Sequence, residues 1–137
     1  MSNTEMDNSK IDINHIVMSL KDRGNECIIM KQYHEAINHY RSALAYDNKN
    51  VSVLCNLSYA MYKLENFLFA EETAIQAFQI DKTREIAYFR ATKAAIARSR
   101  FEEAIQIINC GLEHVPNSDK LKKLKLESKF KYNRLKY

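Results

Sequence analysis

Helix breakers are almost missing from this chain of 137 residues, which holds 2 glycines and 1 proline. So few of them exclude a turn-rich fold, and the abundant Ala, Leu, Ile, Lys and Glu favour helices joined by short links. Cysteine is scarce as well. Cys27, Cys55 and Cys110 are an odd count without CxxC spacing, each inside an apolar helical pattern. That pattern argues against a disulfide framework or a zinc site and makes them small buried hydrophobes in a reducing compartment. No apolar run approaches the roughly 18 residues of a membrane span. Met1–Asn14 is polar and partly acidic, so the expectation is a soluble, cytoplasmic protein with a flexible lead-in over residues 1–14. Catalytic signatures are absent too. There is no Gly-rich phosphate loop, nucleophile elbow or triad order, and His15, His34, His39 and His114 lack any paired i, i+4 spacing for a metal. We therefore expect no enzyme activity, no metal and no cofactor.

What is present is order at a fixed period. Hydrophobic residues make up 46% of the chain, which suits one domain. Frames of 34 residues starting at Val17, Val51 and Glu85 align without a gap. Ala36, Ala70 and Ala104 fall in register, as do Ala43, Ala77 and Gly111, then Gly24, Ser58 and Thr92, then Tyr33, Phe67 and Phe101. Leu20, Leu54 and Tyr88 match likewise. Each frame has a helical apolar period with one short polar break, near Lys31–Gln32, Glu65–Asn66 and Ser99–Arg100. The pattern predicts helices over 16–30, 33–46, 51–64, 67–80, 85–98, 101–114 and 118–135. Small residues at matched positions mark places where paired helices approach closely, so Gly24 is read as a packing residue.

The stretches "LKDRGNECIIMKQYHEAINHYRSALAYD", "LCNLSYAMYKLENFLFAEETAIQAFQID" and "YFRATKAAIARSRFEEAIQIINCGLEHVP" strongly resemble the tetratricopeptide repeat family over residues 17–118. That resemblance implies an all-α, right-handed α-solenoid of three helix hairpins (17–50, 51–84 and 85–118, within a repeat region 15–118) plus a C-terminal capping helix. The first helices of the hairpins would line a concave groove.

On those first helices, the stripe beside the packing stripe carries Lys21, Asn25 and Ile28, then Asn56, Tyr59 and Lys63, then Phe89, Arg90 and Lys93. Its charged members are cations except Asp22 at the margin, although residues 1–118 carry a net charge of −2 within a total of +4. Cations and amide donors in a concave site favour a ligand bearing carboxylates; the alternative is a merely solvated polar face. Lys21, Asn25, Asn56 and Arg90 further resemble the carboxylate clamp of chaperone-binding tetratricopeptide domains. The resemblance implies that Lys21, Asn25 and Asn56 hold the terminal carboxylate of an acidic Glu-Glu-Val-Asp tail and Arg90 the last acidic side chain. Ile28, Tyr59, Lys63, Phe89 and Lys93 would shape the groove. Two positions depart from the clamp pattern. Ile86 stands where a lysine is typical, and Tyr59 stands where a small residue is usual.

Residues 119–137 hold eight Lys or Arg against two acids, interspersed with Leu121, Leu124, Leu126, Phe130 and Leu135. We read them as a basic capping helix, apolar toward helix 101–114, rather than a membrane or nucleic-acid anchor. The expectation from sequence is a monomeric co-chaperone adaptor that binds the C-terminal peptide of a ninety or seventy kilodalton heat-shock chaperone, with no nucleic acid and no membrane as partners. The alternative is a tetratricopeptide scaffold for a non-chaperone segment, its clamp residues unused.

Overall fold

The computed structural model describes residues 3–136, with side chains described over 12–134. Among the described residues there are seven helices and no strands. In order they are α1 (Asn3–Ile29), α2 (Tyr33–Tyr46), α3 (Val51–Lys63), α4 (Phe67–Ile80), α5 (Glu85–Ala97), α6 (Phe101–His114) and α7 (Asp119–Lys136). Consecutive helices pack as hairpins α1–α2, α3–α4 and α5–α6, and each hairpin leans on the next. First helices also meet across hairpins, α1 with α3 and α3 with α5, which sets one wall of the stack.

Each hairpin bends at a residue in the left-handed backbone region: Lys31 (φ 59°), Glu65 (φ 62°) and Ser99 (φ 60°). Around Lys31 the Gln32 N–H donates to the Cys27 carbonyl at 2.7 Å and the Lys31 N–H to the Ile28 carbonyl at 3.0 Å. The pairs Asn66 to Met61 with Glu65 to Tyr62, and Arg100 to Ala95 with Ser99 to Ile96, repeat this arrangement at 2.9 Å throughout. These are paired terminating bonds that satisfy the last carbonyls of a helix. A side chain in this conformation costs about 1–2 kcal/mol, so the two bonds at each corner offset a strain that glycine would not have. Between hairpins, Asp47 and Asp81 fold the chain back by accepting from the backbone N–H of Lys49 (3.2 Å) and Thr83 (3.1 Å). Asn50 and Ser118 then cap α3 and α7 through Val53 N–H and Leu121 N–H, both at 3.1 Å.

Three apolar centres run through the stack, a small one of Leu54, Cys55, Ala77 and Ala87 and two larger ones. One gathers Val17, Cys27, Ile37, Tyr40, Val53, Leu57 and Met61 between α1, α2 and α3. The other gathers Tyr88, Ile108, Leu121 and Leu124 where α7 lies on α5 and α6. Cys27 and Cys55 are buried, Cys110 is half-buried, and all three are free thiols.

Helix runs from Asn3 through the stretch expected as a lead-in over residues 1–14, and residues 1 and 2 lie outside the described residues. No glycine or proline lies between Asn3 and Arg23. A helix already nucleated by the packed turn at Val17 therefore propagates backward with nothing to stop it.

Gly24 and Gly111 are the two positions where helices come too close for a side chain. A Cβ on Gly24 would sit 2.7 Å from Tyr40 Cδ1 and 2.8 Å from its Cζ, and one on Gly111 would sit 2.8 Å from Tyr88 Cγ. In the second frame, Ser58 fills the place of Gly24 and donates to the Ala70 carbonyl at 2.7 Å.

Candidate functional site

The first helices carry the predicted polar stripe along α1, α3 and α5. A cavity of about 330 Å³ opens among them, lined by Asn25, Ile28, Ile29, Tyr40, Asn56, Tyr59 and Arg90. It holds three of the four residues expected to grip a carboxylate and two expected to shape the groove. No acidic side chain lines it.

Asn25 is the organising residue. Its Oδ1 accepts from Tyr40 Oη at 2.6 Å and from Asn56 Nδ2 at 2.9 Å, so one oxygen ties α1 to α2 and to α3. Burial pushes the Tyr40 phenol up to about 12, aided by Cys27, so it remains a protonated donor at neutral pH. With the oxygen taken twice, the Asn25 amide NH₂ keeps both hydrogens for an acceptor from outside. The orientation of this amide is thus set by its neighbours before any ligand arrives.

Across the cavity, the Arg90 guanidinium carbon lies 4.4 Å over the Tyr59 ring. Burial lowers the arginine's pKa, with Tyr59 and Cys55 acting in the opposite direction, and an arginine stays charged despite such a shift. Arg90 makes no ion pair among the described residues, and its Nε is buried without a hydrogen-bond partner. Cys55 nearby is a neutral thiol, pushed up to about 11 by burial against the opposing pull of Arg84 and Arg90. The site therefore offers two amides and one unpaired cation, a donor set for an anionic group with planar oxygens.

Other predicted residues lie outside this lining. Lys21 sits one turn before Asn25, half-buried, and Lys93 follows Arg90 by three positions, also half-buried. Lys63 is exposed, its Nζ 6.0 Å from the Tyr33 ring centroid. Phe89 also lies outside the lining. It packs with the Tyr88 and Leu121 centre, and Lys120 of α7 sits 4.2 Å over its ring, because one step round α5 from Arg90 points toward the last helix. Ile86 packs against Leu54, Cys55 and Ala87 and adds no donor.

Tyr40 and Ile29 complete the lining and were missed from sequence. Tyr40 belongs to a second helix and reads as core; the signal for it was Gly24, whose missing side chain makes room for a large neighbour. A larger cavity, about 710 Å³, lies between α1 and α2 around His15, Arg23 and Tyr46 and contains none of the predicted residues. Among the described residues no group of His, Cys, Asp or Glu is arranged to hold a metal ion, and no helix is long and apolar enough to cross a membrane.

Stacked helical hairpins with a donor-lined cavity on their first-helix wall define a hairpin-repeat solenoid. Comparison with known proteins makes the assignment specific. The TPR repeat model matches residues 24–65, and the fold is that of tetratricopeptide repeat domains. It is 34% identical over 107 residues to the Hsp70/Hsp90 co-chaperone cns1 of Schizosaccharomyces pombe, an alignment covering 74% of this chain and 30% of that protein. The chain thus spans less than a third of this curated relative's length. Its fold matches the second TPR domain of human RPAP3 in complex with the HSP70 peptide SGPTIEEVD, with TM-score 0.79, 26% identity, and coverage of 85% of this chain and 98% of that one. The first TPR of Spaghetti (RPAP3) bound to the HSP90 peptide SRMEEVD gives TM-score 0.80 at 25% identity, covering 87% and 94%.

Proposed function

We propose that this chain is the peptide-binding module of a co-chaperone adaptor, which captures the acidic C-terminal tail of a heat-shock chaperone of the ninety or seventy kilodalton class. One observation carries the reading: Asn25, Asn56 and Arg90, from three successive first helices, share a cavity that contains donors and a cation but no carboxylate. The amides of Asn25 and Asn56, with Lys21 a turn away, would hold the chain-end carboxylate. Arg90 would take an acidic side chain. The solved relatives hold peptides that end in Glu-Glu-Val-Asp, which supports the same ligand class here. No covalent step is involved, and the free thiols suit a reducing cytoplasm.

A small peptide interface gives modest affinity, in the micromolar range. Calorimetry with acetylated Glu-Glu-Val-Asp should give measurable heat that is lost on amidation of the C-terminus and on Arg90→Glu. Equal binding of the acid and the amide would defeat the reading. Ile86 favours a second reading, a scaffold that binds a non-chaperone segment, because its apolar packing removes one cation from the groove. Under it, Lys21→Ala and Arg90→Glu leave partner capture intact.

A further inference from the structure

We propose that Tyr59 sets the specificity of this groove, by holding Arg90 so that the guanidinium reads the side-chain carboxylate of the ligand's last residue. This rests on the chain-end reading above and adds to it which residue decides between an acidic and a neutral last side chain.

Arg90 is a long, flexible side chain, yet no hydrogen bond or ion pair within the described residues fixes its head. The head rests on the Tyr59 ring, 4.4 Å below the guanidinium carbon, with Cys55 nearby. A contact with an aromatic face supplies no hydrogen-bond acceptor, so it positions the group and leaves its N–H donors unspent. One of them, Nε–H, is buried and orphaned at the wall of the cavity. Buried donors without partners are rare in native proteins, so this guanidinium is held by packing on the ring and not by hydrogen bonds of its own. A carboxylate can take two guanidinium N–H groups in a two-point pair, which a neutral carboxamide matches poorly.

Placement supports the division of labour. Tyr59 follows Asn56 by three positions on α3 and lines the same cavity, with its ring against the guanidinium of α5. Four positions before Arg90, Ile86 is packed among Leu54, Cys55 and Ala87 and offers no second cation. Within the cavity lining, recognition of an acidic side chain therefore falls on Arg90, and Arg90 is only as selective as its support is firm. Tyr59 is a positioning residue in this scheme.

The test uses three acetylated peptides, Glu-Glu-Val-Asp and Glu-Glu-Val-Asn with free C-termini and Glu-Glu-Val-Asp amide, titrated into the full chain by calorimetry. Wild type should favour the Asp peptide over the Asn peptide by about tenfold, the worth of one charge-assisted pair. Tyr59→Phe should keep that ratio, since it keeps the ring. Tyr59→Ala and Tyr59→Leu should lower it to under about threefold while both still reject the amide, with circular dichroism confirming the fold. A tenfold ratio retained in both ring-less variants overturns the inference, as does a wild type that rejects the amide yet binds Asp and Asn peptides alike. Wild type binding acid and amide equally would instead overturn the chain-end reading, and this inference with it.

Discussion

Replacing Gly24 by alanine should destabilise the protein, although alanine is the better helix former. On an open helix the exchange gains about 1 kcal/mol. Here the new Cβ would lie within 2.8 Å of three carbons of the Tyr40 ring, a separation that real side chains do not adopt. Tyr40 cannot swing aside cheaply, because it is fully buried and its hydroxyl donates to Asn25 at 2.6 Å. Overpacking of this kind costs about 1–3 kcal/mol; with so enclosed a ring the upper part of that range applies, so the net loss is about 1–2 kcal/mol. In a domain of this size that lowers Tm by roughly 3–10 °C. Urea denaturation followed by circular dichroism measures it, and a second background sharpens it. In a Tyr40→Leu protein the ring is gone, so Gly24→Ala should change sign and stabilise by up to about 1 kcal/mol. The same loss in both backgrounds, or a gain in the wild type, would refute the volume argument. The other frames point the same way, because the residues in register with Tyr40 are Ala74 and Ile108, and opposite them the place of Gly24 is taken by Ser58 and Thr92. Gly111 repeats the exchange at the far end of the stack: it replaces the alanines of the earlier frames where Tyr88 replaces their leucines.

Glycine at the left-handed corners, as Lys31→Gly or Glu65→Gly, should raise stability by about 0.5–1 kcal/mol each through relief of the side-chain clash, measured as a higher urea midpoint with an unchanged slope. Arg98→Ala should cost about 1.5–3 kcal/mol, because it strands the buried Glu71 carboxylate, which now accepts from Arg98 Nη1 at 2.6 Å. Ser118→Ala should cost about 1 kcal/mol and loosen the start of α7, seen as faster amide exchange near Leu121. Alkaline stability should also respond. Burial raises the phenols of Tyr40 and Tyr88 to about 12, so the folded state retains protons that the unfolded chain releases. The stabilisation is complete below about pH 10 and is lost as pH climbs through about 12, at about 1.4 kcal/mol per pH unit for each tyrosine. Tyr40→Phe should shallow the fall in denaturation midpoint over that interval, and an unaltered slope would contradict the assignment.

The fold was legible because the period is strict. Polar breaks recurring at one spacing placed the corners near Lys31, Glu65 and Ser99, where the backbone turns left-handed. Helix ends were less legible: Leu64 and Arg98 already leave helical geometry at the caps of α3 and α5, since the turn closes through their backbone N–H groups. The extension of α1 to Asn3 had no periodic signal, because it rests on nothing but an unbroken helix-compatible segment. In the groove, Asn25, Asn56 and Arg90 followed from counting positions round the first helices. Counting could not say that Phe89, one residue from Arg90, turns to α7, nor that Tyr59 would meet Arg90 rather than the ligand first. Those contacts depend on where neighbouring helices stand, and a stripe of residues does not record that.

The doubly bonded oxygen of Asn25 has a consequence for how the protein loses its grip. In a solenoid each hairpin touches only its neighbours, so the seam between the first two can loosen while the remainder stays folded. Asn56 reaches across that seam to the oxygen that Tyr40 also holds, and once the seam opens the Asn25 amide keeps only the Tyr40 bond and loses its partner amide. Warming should then abolish peptide capture at a temperature where far-ultraviolet circular dichroism still reports full helix.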